Sequence, residues 1–94
     1  MEKGNPMDIT IEEARMQFPA IGENLLGGLY RYSEDKIPTG SFMRAVLTND
    51  LFGALGKYSG NSFDELNQLF TLMYNYMPSN QYGSKDKVNG WLGK

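Results

Sequence analysis

The 94-residue chain predicts an all-α fold, a compact bundle of four to five short helices. Three observations point there. Two capping boxes, Thr10 to Glu13 and Ser62 to Glu65, each pair a hydroxyl acceptor with a carboxylate three residues on, the reciprocal arrangement that opens a helix. Apolar residues recur at the i, i+4 and i+7 spacing of one buried helix face. No stretch of four or more residues alternates apolar and polar at the strand period of two.

The elements follow in order. Residues 1–8 are polar, contain Gly and Pro, and read as a disordered N-terminus; 9–94 read as a single helical domain. A first helix starts at the Thr10 cap and reaches Phe18, because Pro19 disfavours the α region for the residue before it. Pro19 also suits the first turn of a second helix, expected over 19–34, with Ile21, Leu25, Leu29 and Tyr32 on its inner face and Leu26 and Tyr30 alongside. Gly22, Gly27 and Gly28 in that helix each cost about 1 kcal/mol relative to alanine, which points to close approach by another backbone.

A third helix is expected from Ser41 to Gly56, after Ile37-Pro38-Thr39-Gly40, on a stripe of Phe42, Ala45, Val46, Leu47, Leu51, Ala54 and Leu55. Asn49-Asp50 interrupts this stripe in mid-helix and reads as a cap-like hydrogen bond to a neighbouring helix end. The fourth helix opens at Ser62, with Asp64 and Glu65 against the positive end of its dipole, and stops before Pro78. Phe63, Leu66, Leu69 or Phe70, Met73, Tyr74 and Met77 are expected on its inner face, with Tyr76 projecting elsewhere. A loop over 79–83 precedes a last short helix from Ser84 to Leu92.

Composition narrows the function. Nine basic and eleven acidic residues are dispersed along the chain for a net charge of −2, which makes duplex nucleic acid a poor partner. The absence of cysteine removes disulfides and thiolate chemistry, and the absence of histidine removes the commonest general base and metal ligand. The carboxylate pairs Glu12-Glu13, Glu34-Asp35 and Asp64-Glu65 fall in first turns or at a helix end, where dipole and solvent account for them without a metal. The reading is therefore a non-enzyme with no cofactor and no metal. No apolar run approaches the roughly 18 residues of a membrane span, so a cytoplasmic location is expected. A core this small, burying roughly 60 to 65% of the unfolded chain's surface, makes a homo-oligomer a natural supplement.

Ile37-Pro38-Thr39-Gly40-Ser41-Phe42 with Ala45-Val46-Leu47 and Asn49-Asp50-Leu51, and then Tyr74-Asn75, Pro78, Gly83-Ser84, Lys87-Val88 and Trp91-Leu92, resemble an uncharacterised family of small helical proteins encoded by phages and prophages. The resemblance covers residues 29–93, with Tyr82 where the family pattern has tryptophan. It implies phage origin, the host cell cytoplasm, and a role against host processes or immunity by blocking a protein or sequestering a nucleotide signal.

Two constellations carry functional expectations. Gly40-Ser41-Phe42-Met43-Arg44 and Gly83-Ser84-Lys85-Asp86-Lys87 both set a glycine, a serine cap and a basic residue at the third helical position, where an acid is usual. An anion bound to the free amides and the cation would reverse the unfavourable dipole term. The plain alternative is an ordinary cap with Arg44 and Lys87 in solvent. Tyr76 and Tyr82 could stack a base or form an interface, while Tyr74 and Trp91 read as core, as do Met73 and Met77. The leading expectation is a counter-defence protein sequestering an anionic, cyclic nucleotide signal, with Ser41, Arg44, Ser84, Lys85 and Lys87 on phosphate and Tyr76 or Tyr82 on the base. The alternative is a helical protein-interaction module that inhibits or adapts a host protein through an exposed aromatic and methionine patch.

Overall fold

A computed structural model describes residues 7–58 and 62–93. Among these residues all regular structure is helical: α1 (Ile11–Gln17), α2 (Glu23–Asp35), α3 (Ser41–Leu47), α4 (Leu51–Lys57), α5 (Phe63–Tyr76), a 3-10 turn (Ser79–Gln81) and α6 (Lys85–Leu92). The radius of gyration, 12.4 Å, matches the ~12 Å expected of a compact chain of this length.

Both expected capping boxes open helices, but only the first is complete. The Glu13 amide donates to the Thr10 hydroxyl at 3.1 Å, and the Thr10 amide donates to the Glu13 carboxylate at 3.0 Å. At α5 the Glu65 amide donates to Ser62 Oγ at 3.2 Å, but the Glu65 carboxylate turns away to the loop before α2. Met7 is buried in the core and the Asp8 amide donates to the Tyr76 carbonyl, so these two residues of the expected N-terminal tail are anchored. Residues 1–6 lie outside the described part.

The second helix starts later than expected. Pro19 sits in a turn and α2 begins only at Glu23, because α5 satisfies the loop amides instead: Ala20 N–H donates to Gln68 Oε1 at 2.8 Å and Gly22 N–H to Glu65 Oε2 at 2.7 Å. Arg15 grips Glu23 with a 3.0 Å ion pair, tying α1 to the start of α2. Among the described residues no backbone of another element comes within 4 Å of where a side chain at Gly27 or Gly28 would begin. What lies beside them is the guanidinium of Arg31, 3.1 Å from where a Gly27 side chain would begin, so the expected close backbone approach gives way to an arginine folded along its own helix.

The largest departure lies between residues 41 and 57. One helix was expected; the chain makes two, raising the count above the four to five foreseen. Asn49 adopts a left-handed conformation (φ 66°), its amide donates to the Val46 carbonyl, and the Asp50 amide donates to the Ala45 carbonyl at 2.8 Å. This pair of bonds is the Schellman stop, with asparagine in place of the usual glycine. Asp50 then accepts from Gly53 N–H at 3.0 Å and caps α4. Asp50 thus makes a cap bond, but to a new helix in its own segment.

The core collects Leu26, Leu29 and Tyr32 of α2, Met43 and Leu47 of α3, Leu69, Leu72 and Met73 of α5, and Val88 of α6. A buried polar strap fastens the C-terminal part to α2. Tyr32 Oη donates to the Gln81 carbonyl at 2.5 Å, Ser33 Oγ to Gln81 Oε1 at 2.7 Å, and Trp91 Nε1 to the Tyr32 carbonyl at 2.8 Å. Lys36 Nζ sits 4.7 Å above the Trp91 ring.

Candidate functional site

The seven residues expected to bind an anion fall on α3, at the end of α5, after the 3-10 turn and at the start of α6. Gly40, not Ser41, is the N-cap of α3. Because α3 stops at Leu47, Arg44 stands in its last turn, where a cation suits the dipole. It is half-buried, and its guanidinium donates to Asn89 Oδ1 of α6 at 3.3 Å. Ser84 does cap α6, accepting from the Lys87 amide at 3.1 Å, and Lys85 and Lys87 are exposed in the first turn with Asp86. The Arg44–Asn89 bond, together with the 2.7 Å bond from Gly83 N–H to the Leu47 carbonyl, ties α3 to α6.

The tyrosines exchange roles. Tyr76 is half-buried, edge-on to Phe18 at 6.2 Å, with its hydroxyl on Gln17, whereas Tyr74 is 82% exposed. Core geometry explains the exchange: Leu69, Leu72, Met73 and Met77 define the inward face of α5, and the stripe of Phe63, Phe70 and Tyr74 lies about 100–140° around from Leu69 at 100° per residue. Tyr82 lines a groove of about 360 Å³ with Val46, Asn49, Phe70, Met73, Tyr74 and Gly83.

That groove belongs to an apolar face that sequence reasoning missed. Phe70 also borders a smaller cleft with Ala45, Val46, Asn49, Asp50, Leu51 and Ala54, so the stripe on α5 meets the start of α4. On α4, Leu51 and Leu55 are more than half exposed and Phe52 is 86% exposed; on α5, Phe63 is 88% exposed. The available signal was the breadth of the apolar arc. Leu51, Phe52, Ala54 and Leu55 occupy four of seven positions in α4, and α5 is apolar over far more than the ~100° stripe one core can cover.

A second cleft of about 330 Å³, floored by Leu25, Pro38, Phe42 and Met43, lies between α2 and the segment entering α3. Asn24, Gly28 and Arg31 line one wall and Thr39, Gly40 and Ser41 the other. Of the residues expected to hold phosphate, Ser41 is the one that borders it. Among the described residues no group of three or more carboxylates could hold a metal ion, and no helix is long and apolar enough to cross a membrane.

Two tyrosine hydroxyls are strongly perturbed. Burial first, then the carboxylates of Glu34, Glu13 and Glu12, push Tyr30 up to about 12, and burial opposed by Arg44 pushes Tyr32 up to about 12. Both hydroxyls donate to backbone carbonyls, so the shift reflects structural burial and holds no proton ready for transfer. Compared with protein-family models, with curated proteins and with solved structures, the chain matches none of them.

Proposed function

We propose that this chain is a helical protein-interaction module that works without catalysis, by docking its α4–α5 face against a protein surface. The observation that carries the reading is the size of that face. Phe52, Phe63 and Tyr74, each more than four-fifths exposed, contribute roughly 500 Å² at about 150–250 Å² per aromatic. Leu51, Leu55 and Phe70, each about half exposed, bring the apolar area exposed on the two helices to roughly 750 Å²; the stripe of Phe63, Phe70 and Tyr74 with Leu51, which shares a cleft with Phe70, makes up roughly 550 Å² of it, at the top of the ~300–600 Å² of the largest apolar patch on an ordinary monomer. Leaving such area in water costs about 25 cal/mol per Å², which a partner recovers.

The test is photo-crosslinking in the cells that make the protein. Benzoylphenylalanine at Phe52, Phe63 or Tyr74 should trap one discrete protein species, while the same probe at Met16, equally exposed on α1, should not. Uniform, diffuse labelling from all four positions would refute a dedicated face.

Anion sequestration is supported by a different observation, the cleft that brings the Arg31 guanidinium opposite Thr39, Gly40 and Ser41. Native mass spectrometry of protein purified from its own cells should then show a nucleotide-sized mass excess that Arg31→Ala abolishes; a bare protein mass would end this reading.

A further inference from the structure

We infer that the partner of the α4–α5 face is a second copy of this chain, joined in an isologous dimer about a two-fold axis passing near Phe70. The inference rests on the reading of that face as a docking surface and specifies what covers it. Two observations select a second copy, one of area and one of charge.

The area matches. The stripe of Phe63, Phe70 and Tyr74 with Leu51 exposes roughly 550 Å² of apolar side chain per copy, close to the apolar share, about three-fifths, of the ~800 Å² per partner of a standard stable interface. The shape is also suited to a two-fold. Phe63, Phe70 and Tyr74 form a stripe about 16 Å long at 1.5 Å per residue, with Phe70 near its middle. Antiparallel pairing of two such stripes sets Phe70 against its own symmetry mate and Phe63 of each copy near Tyr74 of the other, as an isologous interface requires.

Charge is distributed to match. At the Phe63 end of the stripe stands exposed Asp64, in the first turn of α5. At the Tyr74 end the groove is closed by Tyr82 and Gly83, and there α6 begins with exposed Lys85, Asp86 and Lys87, a net charge of +1, with Lys87 folded back over Gly83. The stripe is acidic at one end and basic at the other. A two-fold axis across its middle brings the acidic end of each copy to the basic end of its mate, twice. The two lysines at the start of α6, unfavourable toward their own helix dipole, thereby acquire carboxylate partners in the second copy.

The experiment is sedimentation equilibrium on the full chain from 1 to 500 µM, with far-UV circular dichroism confirming the helical fold of every variant. The wild type should reach twice its 10.6 kDa mass. Phe70→Glu, which sets two carboxylates facing each other across the axis, should leave a folded monomer. Asp64→Lys alone, and Lys85→Glu with Lys87→Glu alone, should each weaken self-association at least tenfold, since each homodimer opposes like charges. An equimolar mixture of these two variants should restore a heterodimer, because both of its charged ends are again complementary. A wild type monomeric at 500 µM, a dimer indifferent to Phe70→Glu, or a mixture that fails to pair would each overturn the inference. Such failure is distinguishable from failure of the docking reading: a monomer whose Phe52 and Phe63 probes still trap a different protein loses the two-fold but keeps the face.

Discussion

Raising the pH from 9 to 11 should cost the fold about 3 kcal/mol through two side chains. Tyr30 and Tyr32 are 3% and 0% exposed, and burial is the leading cause that lifts both from 10.0 to about 12. In the unfolded chain they titrate near the ordinary value. Between pH 10 and 12 the folded chain therefore holds two protons that the unfolded chain has released, so stability falls as the pH rises through this window and is unaffected below about pH 9.5. At pH 11 the loss is about 1.4 kcal/mol per tyrosine, and it levels off near 2.7 kcal/mol each above pH 12. Against a total on the order of 5–14 kcal/mol for a chain this long, losing both is a large fraction of the stability.

Urea unfolding followed by far-UV circular dichroism measures this directly. With a slope of about 1–3 kcal/mol/M, the midpoint should fall by between about 1 and 3 M from pH 9 to pH 11. The decisive comparison is the Tyr30→Phe/Tyr32→Phe double variant. Its baseline stability will be lower, because the hydroxyls' bonds to Ile9 and Gln81 are gone, but it should lose about 3 kcal/mol less than the wild type between pH 9 and 11. A double variant that loses as much between pH 9 and 11 as the wild type would show that these two hydroxyls do not carry the effect.

Two further predictions concern the α3–α4 junction. Asp50→Ala should lower stability by about 1 kcal/mol by removing the α4 cap, and Gly53→Ala should do the same because its new methyl would collide with the Asp50 carboxylate. Combining them should cost little more than Asp50→Ala alone, and a double-mutant cycle in urea that came out additive would contradict a shared mechanism. Asn49→Val should lose about 1–2 kcal/mol by forcing a β-branched residue into the left-handed region, while Asn49→Gly should be neutral or mildly stabilising. Equal thermal midpoints for the two variants would count against strain at this position.

Local chemistry made the ends of elements legible from the sequence. Thr10, Ser62 and Ser84 cap where their spacing to a helical run says they should, and Pro78 follows the end of α5. What failed were choices decided across the fold. Pro19 is compatible with a helix start or a turn, and only Gln68 and Glu65, 48 and 43 residues away, decide for the turn by satisfying the Ala20 and Gly22 amides. Ser41 looked like a cap because Gly40 offers no side chain, yet Gly40 takes the cap position, and the stop of α3 at Leu47 leaves Arg44 in its last turn. Along α5 the apolar residues occupy so wide an arc that periodicity could not say which flank faces Leu26 and Leu29. Tyr74 and Tyr76 were therefore assigned to the wrong sides. The candidate site was legible only as a class, an exposed aromatic surface, because exposure is set by what the other helices leave uncovered.

The left-handed turn at Asn49 links the fold to the proposed interface. Had α3 continued, Leu47, Leu51 and Leu55 would have lain on one stripe at i, i+4 and i+8, and burial of Leu47 would have drawn the other two inward. The Schellman stop breaks that phase. Leu47 stays fully buried and Ala54 becomes the inward residue of α4, while Leu51 turns outward beside Phe70 and Phe52 and Leu55 are left exposed. Asparagine and aspartate serve this break with side chains that tolerate a left-handed backbone and cap the next helix, so the redirection needs no loop and little conformational entropy. A break that served only to shorten a helix would be expected to put polar residues on the outer face it creates. Here three large apolar side chains occupy it, in a chain with 20 charged residues available for solvent-facing positions. Exposure on α4 is thus built by a specific backbone device, which is the reason to read the face as made for contact.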